Sequence, residues 1–138
     1  MTAELIELPF VPAEGGGIVK IIRKSSEQFS GFGELYLSQL SHGVFRGWKM
    51  HREMHSIIFV VTGAVSFHFF GDDSPCYSLD LREAAESHVG LRIPAGTNFG
   101  FKSTSSTGAV VANLASVEFS SDEVFRPEMT EHECGWAR

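Results

Sequence analysis

The chain has 138 residues, 43% hydrophobic and 20% charged, with a formal net charge of −6 at pH 7, the composition of one soluble globular domain with a core of its own. Only 11 Lys and Arg stand against 17 Asp and Glu, which argues against a nucleic-acid partner, since phosphate backbones want clustered cations; a small anionic ligand needs only a few well-aimed ones. No apolar run reaches the roughly 20 residues of a membrane span, MTAELIELPFV lacks the basic start and apolar stretch of a signal peptide, and Cys76 and Cys134 are too few for a disulfide framework or a zinc knuckle. A reduced, cytoplasmic protein without membrane contact is therefore expected.

In chain order, strand-like runs recur at IVKIIRK (18–24), ELYLSQL (34–40), SIIFVVTG (56–63), AVSFHFF (64–70), GLRIP (90–94) and AVVANLASVEF (109–119). Turn-formers punctuate them: GGG at 15–17, SGFG at 30–33, GDDSP at 71–75 and PAGT at 94–97. Short strands with regular turn signals predict an all-β sandwich or barrel. LDLREAAESHV (79–89) is the one helical candidate, without an amphipathic stripe, and reads as a loop or a turn of helix. SIIFVVT is apolar on both faces, as a strand inside a two-layered structure should be. Thr62-Gly63-Ala64 joins it tightly to the next strand, where Val65, Phe67 and Phe69 share one face and His68 lies on the other, hydrogen-bonded or facing solvent. A single domain over 1–138 is expected, with 126–138 a tail free to move or to cover a barrel end.

Residues 43–56, GVFRGWKMHREMHS, carry the densest chemistry. In an extended 48–55, alternation puts Lys49, His51, Glu53 and His55 on one face and Trp48, Met50 and Met54 on the other. Lys49 and His51 are then neighbours about 7 Å apart at Cα, able to point into one cavity. Gly47 can host a bulge that turns Arg46 toward the same place. His51 and His55 have HxxxH spacing, which binds one ion on a helix, but on a strand they lie roughly 13 Å apart, too far to share a metal.

The order glycine, basic pair, apolar strand, glycine, strand, I-P-x-G resembles the cupin barrel. Metal-binding cupins carry G-x5-H-x-H-x3-4-E-x6-G and then P-x-G-x2-H; here the four ligand slots fall on Lys49, His51, Ser56 and Phe99. One ligand of four is kept, and an ammonium at the first slot repels a cation, so no metal and no other cofactor is expected. The chain is more similar to the metal-free, RmlC-like nucleotide-sugar branch: the dTDP-4-dehydrorhamnose 3,5-epimerases and the WxcM-like 3,4-ketoisomerases of dTDP-4-keto-6-deoxyglucose. The epimerase pattern G-V-x-R-G-x-H meets Gly43 to Lys49, and the ketoisomerase pattern R-G-x-H-A-H-K meets Arg46 to Arg52. Their G-L-x-I-P-P-G resembles Gly90 to Gly96, and a serine-rich turn with the following strand has its counterpart at Ser103 to Ser116.

The resemblance implies a single jelly-roll barrel acting on a nucleotide-diphosphate sugar, with the first histidine of H-x-H as the base beside the ketone. Here Lys49 fills that slot and His51 the second, so both are the candidate catalytic residues. Arg46 would grip the pyrophosphate, and Tyr36 and Arg92 are further candidates for substrate binding. Departures are plain: Glu14-Gly15-Gly16-Gly17 replaces D-x-R-G, and Val117-Glu118-Phe119 lacks the family's phenols. Three roles stay open for Lys49: a base made accessible by burial beside cations, a charged enolate stabiliser with His51 as base, or a Schiff-base nucleophile. The expected function is metal-independent isomerisation or epimerisation of a 4-keto-6-deoxy sugar; the alternatives are a non-catalytic sugar- or small-acid-binding cupin and a metal-dependent cupin enzyme. A homodimer is expected, because an open barrel with a loose N-terminal strand has an edge to cover.

Overall fold

The computed structural model describes residues 2–71 and 76–128. Two five-stranded antiparallel sheets face each other. The first has the order β1 (Glu4–Glu7), β9 (Val89–Ile93), β6 (Ser56–Thr62), β11 (Ala109–Ala115), β4 (Glu34–Leu40). The second has the order β12 (Val124–Phe125), β5 (Phe45–His51), β10 (Asn98–Ser103), β7 (Ala64–Phe70), β8 (Tyr77–Arg82). A hairpin, β2 (Phe10–Ala13) with β3 (Gly16–Val19), stands apart, and α1 is the single turn Ala84–Ser87. This is the expected cupin jelly roll.

Period-two alternation explains where the core sits. Val65, Phe67 and Phe69 of β7 and Phe99 and Phe101 of β10 meet Ile58 and Val60 of β6, Leu91 and Ile93 of β9, and Val111 of β11 between the sheets. The other face of the first sheet is also covered: Ile57, Phe59 and Leu114 pack with Ile6, Leu8, Val19, Ile21, Ile22 and Ala84. SIIFVVT is apolar on both faces for this reason. The connection at Gly63 has φ 85°, and a Cβ there would collide with the Gly108 carbonyl; only glycine makes this turn without strain.

Several sequence expectations shift. Residues 79–82 belong to strand β8, and only Ala84–Ser87 are helical. Residues 20–24 lie beyond β3, and strands β1, β2, β10 and β12 fall outside the expected runs. Strand β5 ends at His51, so Glu53 and His55 do not continue its face; His55 Nδ1 instead accepts the Ala95 N–H at 3.1 Å. Cys76 is disulfide-bonded, so the reduced state expected from the cysteine count does not hold for it. Cys134, most of the GDDSP turn and tail residues 129–138 lie outside the described residues. Among the described residues no helix is long and apolar enough to cross a membrane.

Candidate active site

The site is set by an irregularity in β5. Arg46 is opposite Phe101 and Lys49 opposite Phe99, so two residues, Gly47 and Trp48, face Gly100 alone. A bulge of this kind resets alternation and brings Arg46, Lys49 and His51 to the inner face together. Gly47 has φ 137° and its missing Cβ would lie 2.6 Å from the Gly100 Cα, so strand contact is as close as backbone permits. Trp48 is turned outward between Phe45 and Phe70, with ring centroids 5.1 and 5.2 Å away, and serves as packing.

Lys49 lies over two aromatic faces, with Nζ 5.4 Å from the Phe99 centroid and 5.8 Å from that of Phe101. Among the described residues it forms no ion pair; the only one is between His51 and Glu123. Burial pulls its pKa from the ordinary 10.5 to about 8, helped by the positive charges of Arg126 and Arg46 and opposed by Glu123. His51, 5% exposed, holds the Glu123 carboxylate through Nδ1 at 2.5 Å. The other Glu123 oxygen accepts the backbone N–H groups of Glu53 and Met54 at 3.2 and 3.3 Å.

The two groups differ in protonation for physical reasons. Burial lowers the His51 pKa, against the pull of its Glu123 hydrogen bond and charge, and Lys49 and Arg126 add to the lowering. Burial pushes Glu123 up, but the His51 and backbone hydrogen bonds outweigh it and keep the carboxyl below its ordinary value. At neutral pH the pair is thus a carboxylate and a neutral imidazole whose proton sits on Nδ1. Nε2, buried and without a hydrogen-bond partner among the described residues, keeps its lone pair, and that is the position of a general base.

The facing sheet contributes Tyr36 from β4 and Asn113 from β11, paired across the ladder. Asn113 Nδ2 donates to the Tyr36 hydroxyl at 2.9 Å, while its Oδ1 is buried without a partner among the described residues. Burial raises the Tyr36 pKa; the Asn113 hydrogen bond opposes this, and Glu34 and Glu123 add to it. The phenol is a proton donor, not a base. Arg46 is exposed, its guanidinium donating to the Gln39 carbonyl of β4 at 3.0 Å across the gap between the sheet edges.

The structure therefore brings together Lys49, His51, Arg46 and Tyr36. It does not bring Arg92 to them. Arg92 is opposite Glu4 and Ile57, and Ile57 lies in the outer cluster, so Arg92 shares the outer face while Leu91 and Ile93 point into the barrel. Glu123, Arg126 and Asn113 escaped sequence reasoning. Glu123 and Arg126 flank a two-residue strand with no periodic signal, and the serine- and acid-rich SSDEVFRP reads as a solvated loop. Among the described residues no three His, Cys, Asp or Glu side chains are grouped to hold a metal ion; Glu123 already occupies His51 Nδ1.

Comparison with known proteins follows the same lines. The profile of the FdtA, WxcM-like C-terminal family matches residues 1–132. A dTDP sugar isomerase from Desulfovibrio desulfuricans G20 is similar at 30% identity over 98% of this chain and 89% of that one, with a TM-score of 0.82. The 3,4-ketoisomerase QdtA from Thermoanaerobacterium thermosaccharolyticum, solved with TDP-4-keto-6-deoxyglucose, has 20% identity over 91% and 88% of the two chains and a TM-score of 0.78. ChmJ, a 3′-monoepimerase from Streptomyces bikiniensis solved with dTDP-quinovose, has 15% identity over 97% and 73% and a TM-score of 0.83. Among curated protein sequences none matches.

Proposed function

The chain belongs to the FdtA, WxcM-like C-terminal family, and from that membership together with its site we propose that it is a metal-independent isomerase or epimerase of a nucleotide-linked 4-keto-6-deoxy sugar. The reaction is proton transfer at the carbon next to the ketone. The observation that carries this reading is the neutral His51, pinned through Nδ1 by Glu123 and presenting, on the strand face it shares with Lys49, an Nε2 without a hydrogen-bond partner among the described residues.

A C–H next to a ketone becomes acidic enough to remove only when a base and a stabiliser of the resulting charge are held together. His51 Nε2 is the base. When it takes the proton, the imidazolium is paired at once with the Glu123 carboxylate 2.5 Å away, which limits the cost of a buried charge. Lys49, over Phe99 and Phe101, is aimed at the ketone end. Tyr36, held by Asn113, supplies a phenolic proton on the opposite wall. Arg46 and Arg126 are exposed near the mouth and suit a diphosphate, which guanidinium groups bind bidentately.

The absence of a metal requirement rests on the donor set: Lys49, Ser56 and Phe99 stand in three of the four cupin ligand slots, which leaves His51 as one ligand of four. We further propose a homodimer acting in carbohydrate, including polysaccharide, biosynthesis. Phe10, Val11 and Ile18 of the β2–β3 hairpin and Leu35 and Leu37 on the outer face of β4 are exposed, an apolar surface of the kind a second subunit covers.

The test is incubation with TDP-4-keto-6-deoxyglucose, followed by NMR of the sugar, alongside thermal unfolding with and without dTDP. Stabilisation with sugar conversion supports the enzyme. Stabilisation without conversion of this or related 4-keto sugars would leave a binding protein.

A further inference from the structure

Lys49 is an unusual group for this site. It is an amine on the inner face of the barrel, without an ion-pair partner among the described residues, cradled by two aromatic faces and flanked by the charges of Arg46 and Arg126. On the same strand face stands His51, two residues along and against the same Phe99 ring, whose centroid is 6.3 Å from the imidazole. We propose that Lys49 is a covalent catalyst: its amine condenses with the ketone of the bound sugar, and His51 Nε2 removes the proton from the carbon next to the resulting iminium. This rests on the reading of the substrate as a keto sugar.

The steps balance without any co-reactant except water and one proton exchanged with solvent. The neutral Lys49 nitrogen adds to the carbonyl carbon, the oxygen takes up one proton from solvent and leaves as water, and a C=N bond with one positive charge remains. His51 Nε2 takes the neighbouring proton, the C–H electrons form a C=C bond, and the C=N π electrons move onto nitrogen to give a neutral enamine. The imidazolium is balanced by Glu123. Return of a proton to the same carbon, from His51 or from the Tyr36 phenol on the facing sheet, restores the iminium, and water then releases the ketone and the free amine.

Three features of the site favour this route. A nucleophilic amine must be neutral, and desolvation together with neighbouring cations is the physical way to make it so; with a pKa of about 8, about one Lys49 in ten is neutral at pH 7, against about one in 3,000 for an ordinary lysine. The iminium is a cation in the place where the ammonium already lies over two π faces. The base is already in its acceptor form. A consequence follows for the reaction. Moving the ketone to the neighbouring carbon through this enamine would leave nitrogen on a saturated carbon, which water cannot release. Covalent catalysis by Lys49 therefore epimerises the carbon beside the ketone and does not migrate the carbonyl.

The experiment uses the full chain with TDP-4-keto-6-deoxyglucose, in the presence and absence of sodium cyanoborohydride, in D2O. Intact-mass and peptide mapping should find a reduced sugar-nucleotide adduct on Lys49. Lys49→Arg, which keeps the charge and loses the nucleophile, should give no adduct and lose at least about a hundredfold in deuterium exchange at the sugar carbon; Lys49→Met, checked by thermal unfolding, should behave alike. Exchange without an adduct, or Lys49→Arg retaining exchange within tenfold of wild type, overturns the covalent role and leaves the proton-transfer reading intact. An adduct confined to Lys20, Lys24 or Lys102 overturns it equally. A wild-type protein that neither binds dTDP nor exchanges the proton overturns the reading and this inference together. Keto migration as the main product, with Lys49 modified or not, overturns the covalent route alone.

Discussion

Replacing Lys49 with methionine should make the protein more stable at neutral pH. Burial and neighbouring cations bring this ammonium from 10.5 to about 8, and at about 1.4 kcal/mol for each pKa unit the charge costs the native state about 3 kcal/mol relative to the unfolded chain. The faces of Phe99 and Phe101 and screening at the partly open site return about 1 kcal/mol. Methionine keeps the packing against both rings. The variant should therefore gain about 2 kcal/mol at pH 7. The sign with pH is set by proton binding: between about 8 and 10.5 the unfolded chain holds more protons at this position than the folded one, so wild-type stability from Lys49 climbs with pH through that window and the penalty is complete below it. Methionine has no such limb. Urea unfolding of both proteins at pH 7 and pH 10 reads the difference directly; it should be largest at pH 7 and shrink at pH 10. A variant less stable than wild type at pH 7, or a gap that does not change with pH, would refute the placement of a buried ammonium in the barrel.

Glu123→Gln should reduce turnover on the order of 10²-fold with dTDP affinity unchanged, because amide for carboxylate removes the charge that strengthens His51 as a base and compensates the imidazolium formed when it takes the proton; steady-state kinetics beside dTDP titration checks the split. Activity should rise with pH through a midpoint near 8, where half of Lys49 is neutral, and level off above it. Arg126→Ala should move that rise to higher pH and weaken dTDP binding, since it removes a neighbouring positive charge. Gly47→Ala should destabilise the fold by about 2–4 kcal/mol, given the positive φ and the 2.6 Å approach to Gly100, measured by chemical denaturation. Mass in solution should be that of a dimer; a monomer at all concentrations would contradict the role given to the exposed β2–β3 hairpin.

The barrel was legible because strands such as 34–40, 56–62 and 64–70 declare themselves by alternation and by apolar content, and because the glycine and proline landmarks are local. The bulge was legible too, since Gly47 sits just where a basic pair needs re-aiming. Less could be read of whatever tertiary pairing alone creates. Strand β8 carries helix formers at its end, and its strand state comes from β7. Glu123 becomes chemically meaningful only when the chain returns, 72 residues after His51, to lay it against the imidazole. Arg92 misled because a motif names a residue without its face: the register with Glu4 and Ile57 turns it outward.

Deuterium wash-in bears on the central claim without assuming which product forms. In D2O with TDP-4-keto-6-deoxyglucose, the wild-type protein should replace the proton on a carbon beside the ketone, seen as loss of one sugar resonance by NMR, and His51→Asn should leave that resonance intact. Equal exchange in the His51→Asn protein, or no exchange by a wild-type protein saturated with the sugar nucleotide, would contradict the account.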